Sequence, residues 1–148
     1  MNLRGVILLT QTSLTGGTTY NLACCAAPSN QEIALTGFGY FGYYNAAGTP
    51  GKLTFNYASN QGSSGTALTP APLIQQDTTT FRSSWISYPS AGPSITTQLD
   101  ERAINPQLGL TELWSERDWI VVKAGGFFIV QFIPQQTVNY GGWLRILE

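Results

Sequence analysis

The chain has 148 residues with 16 Gly, 8 Pro and no His, and 10% of it is charged against 43% hydrophobic, where a soluble domain averages about 25% charged. Seven basic and eight acidic residues give a net charge of −1, which lacks the cationic footprint of a nucleic-acid binder. Without histidine there is no Ser-His-Asp or Cys-His nucleophile, no imidazole base and no His-containing metal cage, so neither catalysis nor a cofactor is expected of this length, which suits one domain.

In chain order, Arg4 precedes the apolar Val6-Ile7-Leu8-Leu9, but Thr10-Gln11-Thr12 interrupts the run before it reaches the length of a secretion signal. Asn21 stands where a lipidation site before Cys24 needs an aliphatic residue. No window approaches 18 consecutive apolar residues, so no membrane span is predicted and synthesis in a cytoplasm is expected. Residues 1–30 read either as an extended arm or as the first strands of the domain. Cys24 and Cys25 are adjacent, so on a strand their side chains point to opposite faces. They are expected to be reduced apolar fillers.

Apolar alternation with a period of two, broken by Gly, Pro, Asn and Ser clusters, predicts strands near 4–10, 18–25, 32–44, 51–58 and 65–69. It predicts further strands near 80–88, 109–114, 118–123, 127–133 and 141–147. The fold class is all-β, a sandwich or barrel. Residues 91–108 carry the least pattern and read as a long loop, with one helical turn available at Thr97–Ala103.

Leu53-Thr54-Phe55-Asn56-Tyr57 alternates as a strand wet on one side. Phe127-Phe128-Ile129-Val130-Gln131-Phe132-Ile133 is apolar on both faces. In Gly37–Tyr44, Phe41 and Tyr43 take one face while Phe38, Tyr40 and Tyr44 take the other, and the glycines between them either kink the strand or let a neighbouring ring lie against backbone. A two-sheet sandwich buries one face per sheet, so aromatic residues on a second face require another partner. Phe38, Tyr40 and Tyr44 are therefore candidate interface residues, with Trp114 and Trp119 as further rings. Leu3, Val6 and Leu8 join them if the first residues form an arm that adds a strand to a neighbour's sheet edge.

The carboxylates Asp100-Glu101, Glu112 and Glu116-Arg117-Asp118 read as solvated turn charges. Carbohydrate binding is the stronger alternative. Trp85, Trp114, Trp119 and Trp143 and the tyrosines Tyr40, Tyr43, Tyr44 and Tyr57 supply rings on which a sugar stacks, and Asn56, Asn60, Gln61 and Asn139 supply polar edges, although a β-domain buries most of its rings in its own core.

The stretch from Glu32 to Glu148 resembles small virion proteins of tailed bacteriophages. The similarity rests on Glu32–Phe38, Leu53–Tyr57, Gly65–Pro70, Leu113-Trp114, Ile120–Gly126 and Gly142–Glu148. It implies a jelly-roll-like single-domain antiparallel β-sandwich that acts as a capsid decoration (cement) protein. It also implies a homotrimer on the outer capsid lattice, with the major capsid protein as partner. A carbohydrate-binding, receptor-binding module of a phage tail or fibre is the alternative, with a glycan as partner. Residues 1–30 have no counterpart in the resemblance.

Overall fold

β-branched and aromatic residues in period-two runs favour strands because their side chains pack well on a pleated, half-buried surface. The computed structural model describes residues 3–42, 45–74 and 80–148. Its strands are β1 (Arg4–Leu14), β2 (Tyr20–Ala26), β3 (Ile33–Phe41), β4 (Gly51–Ala58), β5 (Thr66–Ala67) and β6 (Ala71–Pro72). They continue with β7 (Ser84–Ser87), β8 (Ile95–Ile104), β9 (Leu110–Leu113), β10 (Ile120–Val122), β11 (Phe127–Ile133) and β12 (Val138–Leu147). A 3-10 turn at Glu116–Asp118 precedes β10. No helix among the described residues is long and apolar enough to cross a membrane.

The strands form two six-stranded antiparallel sheets. The first runs β10-β3-β12-β1-β6, with β9 also pairing β3, and the second runs β5-β7-β2-β11-β4-β8. The first four strands and the last two alternate between the sheets: β1, β3 and β12 lie in the first, and β2, β4 and β11 lie across from them in the second. The pairs β1–β12, β12–β3 and β3–β9 face the pairs β2–β11, β11–β4 and β4–β8. This is jelly-roll connectivity, two Greek keys closed into a sandwich. The short strands β5, β6 and β7 are an insertion between β4 and β8 that lengthens both sheets at the β1/β2 side.

Residues 4–14 are no arm. β1 pairs with β12 from Arg4↔Leu147 to Leu14↔Val138, with a register shift between Leu9 and Thr12, and is an interior strand where β6 flanks it. The loop expected at 91–108 is corrected to a ten-residue edge strand, β8, paired with β4 over most of its length. Its side chains up to Ala103 are exposed or half-exposed, so no apolar alternation marks it. Asp100, Glu101 and Arg102 blunt the edge against pairing with another chain.

Between the sheets lies a core of aliphatic side chains and rings. Phe38 from β3, Phe55 from β4 and Phe128 from β11 meet at its centre, and Tyr40, Phe132 and Tyr140 form a second ring cluster with centroids 5.0–6.4 Å apart. A register shift between Arg145 and Ile146 leaves Thr36 as an extra residue on β3. Inward side chains therefore change parity along one strand, from Ile33 and Leu35 to Phe38 and Tyr40.

The expectation that Phe38, Tyr40 and the strand 127–133 need an external partner is corrected, while Tyr43 lies outside the described residues. Phe38 and Tyr40 are the inward face of β3, 1% and 0% exposed. On β11, Phe128, Val130 and Phe132 point into the core, while Ile129 on the outer face is also fully buried. It lies between Cys24 of β2 and Asn56 of β4. The Asn56 amide donates to Thr54 Oγ1 and to the Ile129 carbonyl, and the Gln61 amide folds back to donate to the carbonyls of Cys24 and Ser84. The chain covers this face with its own polar side chains and the loop after β4.

Cys24 and Cys25 are free, both 0% exposed and on opposite faces of β2. Burial pushes the Cys24 thiol up to about 12. It also raises Cys25 well above the ordinary thiol range, with the Glu148 carboxylate and Cys24 adding in the same direction. The thiolate is the reactive species, so neither thiol is expected to react with an aromatic disulfide reagent in native buffer at pH 8. Both are expected to titrate promptly in denaturant. Fast labelling of the native chain would contradict this packing.

Candidate functional site

The outer face of the first sheet presents an exposed apolar surface with a defined geometry. Because Ile7 and Leu9 of β1 and Leu144 and Ile146 of β12 point inward, period two puts Val6, Leu8, Trp143 and Arg145 outward. Register then aligns them in rows. Leu8 lies opposite Trp143, which lies opposite Gly39 and then Thr111, and Val6 lies opposite Arg145, Gly37 and Leu113. Leu8 is 67% exposed and Leu113 61%.

Gly39 explains how a tryptophan is seated there. An added Cβ at Gly39 would lie 2.3 Å from Trp143 Nε1 and 2.4 Å from Cε2, so the indole occupies the space a side chain would need. The glycine of the predicted aromatic run thus lets a neighbouring ring lie against backbone. The Arg145 guanidinium carbon sits 5.4 Å from the centre of the Trp143 ring, a cation–π contact that orients it.

Beside these rows is a groove of about 290 Å³, bordered by Arg4, Arg145, Leu147, Leu73, Leu113 and Trp119. Among the described residues, none that lines it carries a carboxylate. Among the described residues the ion pairs are Lys52–Glu101, Arg102–Asp100 and Arg102–Glu112, so neither groove arginine is paired.

Of the sequence-predicted interface residues, Val6, Leu8 and Trp119 lie on this face or its groove. Phe38, Tyr40 and Leu3 do not: all three are core residues, and Leu3 pairs its backbone with Glu148 in both directions at 2.8 and 2.9 Å. Trp114 borders the groove, but its ring is spent internally, 5.9 Å from Phe38 and 5.4 Å from Phe55. Its indole N–H donates to Glu112, whose carboxylate also takes Arg102 Nε at 3.0 Å, so that β8 and β9 are tied across the open side of the sandwich. Tyr44 lies outside the described residues.

Sequence reasoning missed Arg4, Arg145 and Leu113, and took Trp143 only as a sugar platform. The alternation of Leu144 and Ile146 was the available signal for Trp143 and Arg145. Glu116 and Asp118 are exposed on the 3-10 turn, and no cluster of three His, Cys, Asp or Glu among the described residues could hold a metal. The polar edges offered to a sugar are largely consumed within the fold. Asn56 is 2% exposed, the Gln61 amide holds two backbone carbonyls, and Trp85 is 2% exposed in the core.

No family model, curated protein or solved structure matches the chain.

Proposed function

We propose that this chain is a structural virion protein of a tailed bacteriophage, a homo-oligomeric capsid decoration protein that docks on the major capsid lattice through the outer face of its first sheet. The carrying observation is the row Leu8–Trp143–Gly39 with its neighbouring groove, an exposed apolar surface built on interior strands. A jelly-roll sandwich is an architecture used by viral capsid and lectin domains alike. Fold therefore does not choose between the two readings, and the character of the site must.

An interface core poor in acidic and lysine charge, with Trp and Arg as anchors among apolar neighbours, is the composition that protein–protein contacts favour. Burying apolar area contributes roughly 25 cal/mol per Å², so a clamp spread over neighbouring lattice subunits gains most from such a face. The resemblance of residues 32–148 to small virion proteins points the same way. The glycan reading keeps Trp143 as a platform but has lost most of its polar edges to internal hydrogen bonds.

The test is co-sedimentation of the purified chain with empty capsids of the phage whose genome carries its gene, together with its native mass. Binding by an oligomer is expected, and Leu8→Asp should weaken it at least about tenfold, since a charge would replace a buried methyl cluster. The circular dichroism should not change. A monomer that ignores capsids overturns the proposal. Glycan-array binding that is lost in Trp143→Ala, with native mass intact, replaces it with the lectin reading.

A further inference from the structure

The groove beside the Leu8–Trp143 row holds chemistry that a purely apolar clamp does not require. Arg4 lies opposite Leu147 and Arg145 lies opposite Val6 on the same pair of strands. The two arginines are therefore diagonal neighbours on one face, with Cβ atoms about 7 Å apart or less. Both border the groove, and side chains of this length converge readily across such a spacing.

Neither has a carboxylate partner among the described residues. Arg145 is held by the Trp143 ring at 5.4 Å, which orients its guanidinium while leaving its planar fork of N–H donors unspent. The other walls are mostly apolar, with Leu73, Leu113, Leu147 and Trp119 among them and Thr36 as the one hydroxyl in the described lining. Two cations without an ion-pair partner, in a largely apolar groove whose described lining carries no carboxylate, favour an anion that arrives with apolar neighbours.

We infer that this groove is a carboxylate-recognition subsite, taking an Asp or Glu side chain flanked by apolar residues from an extended segment of a partner protein. Arginine binds a carboxylate through two parallel N–H···O bonds, so Arg145 supplies orientation as well as charge. A nucleic-acid strand fits poorly. Its successive phosphates need a track of cations, whereas this face carries two arginines between leucines on a chain of net charge −1. The inference deepens the decoration reading and rests on it for the partner's being a protein, but the groove's chemistry stands on its own residues.

The experiment titrates the full chain with N-acetyl-Leu-Glu-Leu-amide and with the isosteric N-acetyl-Leu-Gln-Leu-amide. Amide, arginine Nε–H and indole N–H resonances are followed by heteronuclear NMR. The glutamate peptide is expected to shift the Trp119 indole and Arg145 Nε–H signals and to bind at least about fivefold more tightly than the glutamine peptide. Arg145→Gln and Arg4→Gln should each remove that preference with the fold intact, and about 0.5 M NaCl should weaken it.

Equal binding of the two peptides, or a preference that survives Arg145→Gln, overturns the inference. So does an absence of shifts at the groove. A native oligomer that dissociates in Arg145→Gln also overturns it, in favour of a second copy as the occupant. If the peptide preference is found while capsid sedimentation fails, the subsite stands and the virion reading falls. The reverse pair of results removes the subsite alone.

Discussion

Phe55→Ala should cost about 3–5 kcal/mol of folding free energy, the range for deleting a fully buried phenylalanine, and should move the urea midpoint by about 2 M. Phe55 is 0% exposed. From β4 in the second sheet its ring lies 5.3 Å from Phe38 in the first, 5.4 Å from Trp114 at an edge-on angle of 83°, and 6.4 Å from Phe128, nearly parallel at 18°. One side chain thus touches both sheets and the indole that closes the open side between β8 and β9. Its removal leaves a cavity whose walls are interior strands unable to collapse, because their positions are fixed by ladders on both sides. A domain has about 5–15 kcal/mol in total, so the variant should be near its unfolding threshold. Leu113→Ala, a leucine 61% exposed, should change stability by less than about 0.5 kcal/mol. Chemical denaturation of the two variants side by side checks both figures, and similar losses would mean that the core is not centred where these rings place it.

The fold class was legible because the interior strands obey period two. Leu53 and Phe55 on β4 and Phe128, Val130 and Phe132 on β11 point inward as alternation requires. What alternation could not convey was which second faces the chain covers for itself. Ile129 looks like surplus apolar surface in sequence, but its cover is Asn56 and the returning Gln61 loop. Those contacts depend on register and on a loop path that no local pattern encodes. The β8 edge strand failed for the opposite reason. A strand with nearly every side chain in solvent has no apolar period, and its identity comes from the β4 backbone beside it.

The candidate surface was half legible. Val6 and Leu8 were singled out, although as an arm, when β12 in fact pairs along that whole segment. The aromatic residues of 37–44 drew attention to the right strand and the wrong face. Phe38 and Tyr40 fill the core, and it is the glycines beside them that shape the outer surface, Gly39 by admitting Trp143 and Gly37 by admitting Leu113. A glycine says that something approaches closely. It does not say what, and Trp143 is more than a hundred positions away in sequence.

Glu148→Ala should cost about 3 kcal/mol, from a residue that composition would assign to the surface. Its carboxylate is buried, with the residue 4% exposed. Oε1 accepts the Arg82 N–H at 2.6 Å, while Oε2 accepts the Ser83 N–H at 3.1 Å and the Ser83 hydroxyl at 2.6 Å. Ser83 Oγ in turn accepts the Trp85 indole N–H at 3.0 Å. The polar chain therefore runs from the end of β12 in the first sheet to the core tryptophan of β7 in the second. Removing the carboxylate leaves two backbone N–H groups without an acceptor and frees the approach to β7. Glu148→Gln should recover only part of the loss. Whichever way the amide is turned, its NH₂ faces a backbone N–H donor, either that of Arg82 or that of Ser83. The order of stability should be wild type, then Gln, then Ala. Trypsin provides a local readout, because Arg82 has an exposed side chain on a backbone held by Glu148. Cleavage after Arg82 should be slow in the wild type and should accelerate in the same order as stability falls. Equal cleavage rates in all three proteins would show that the carboxylate does not hold this segment.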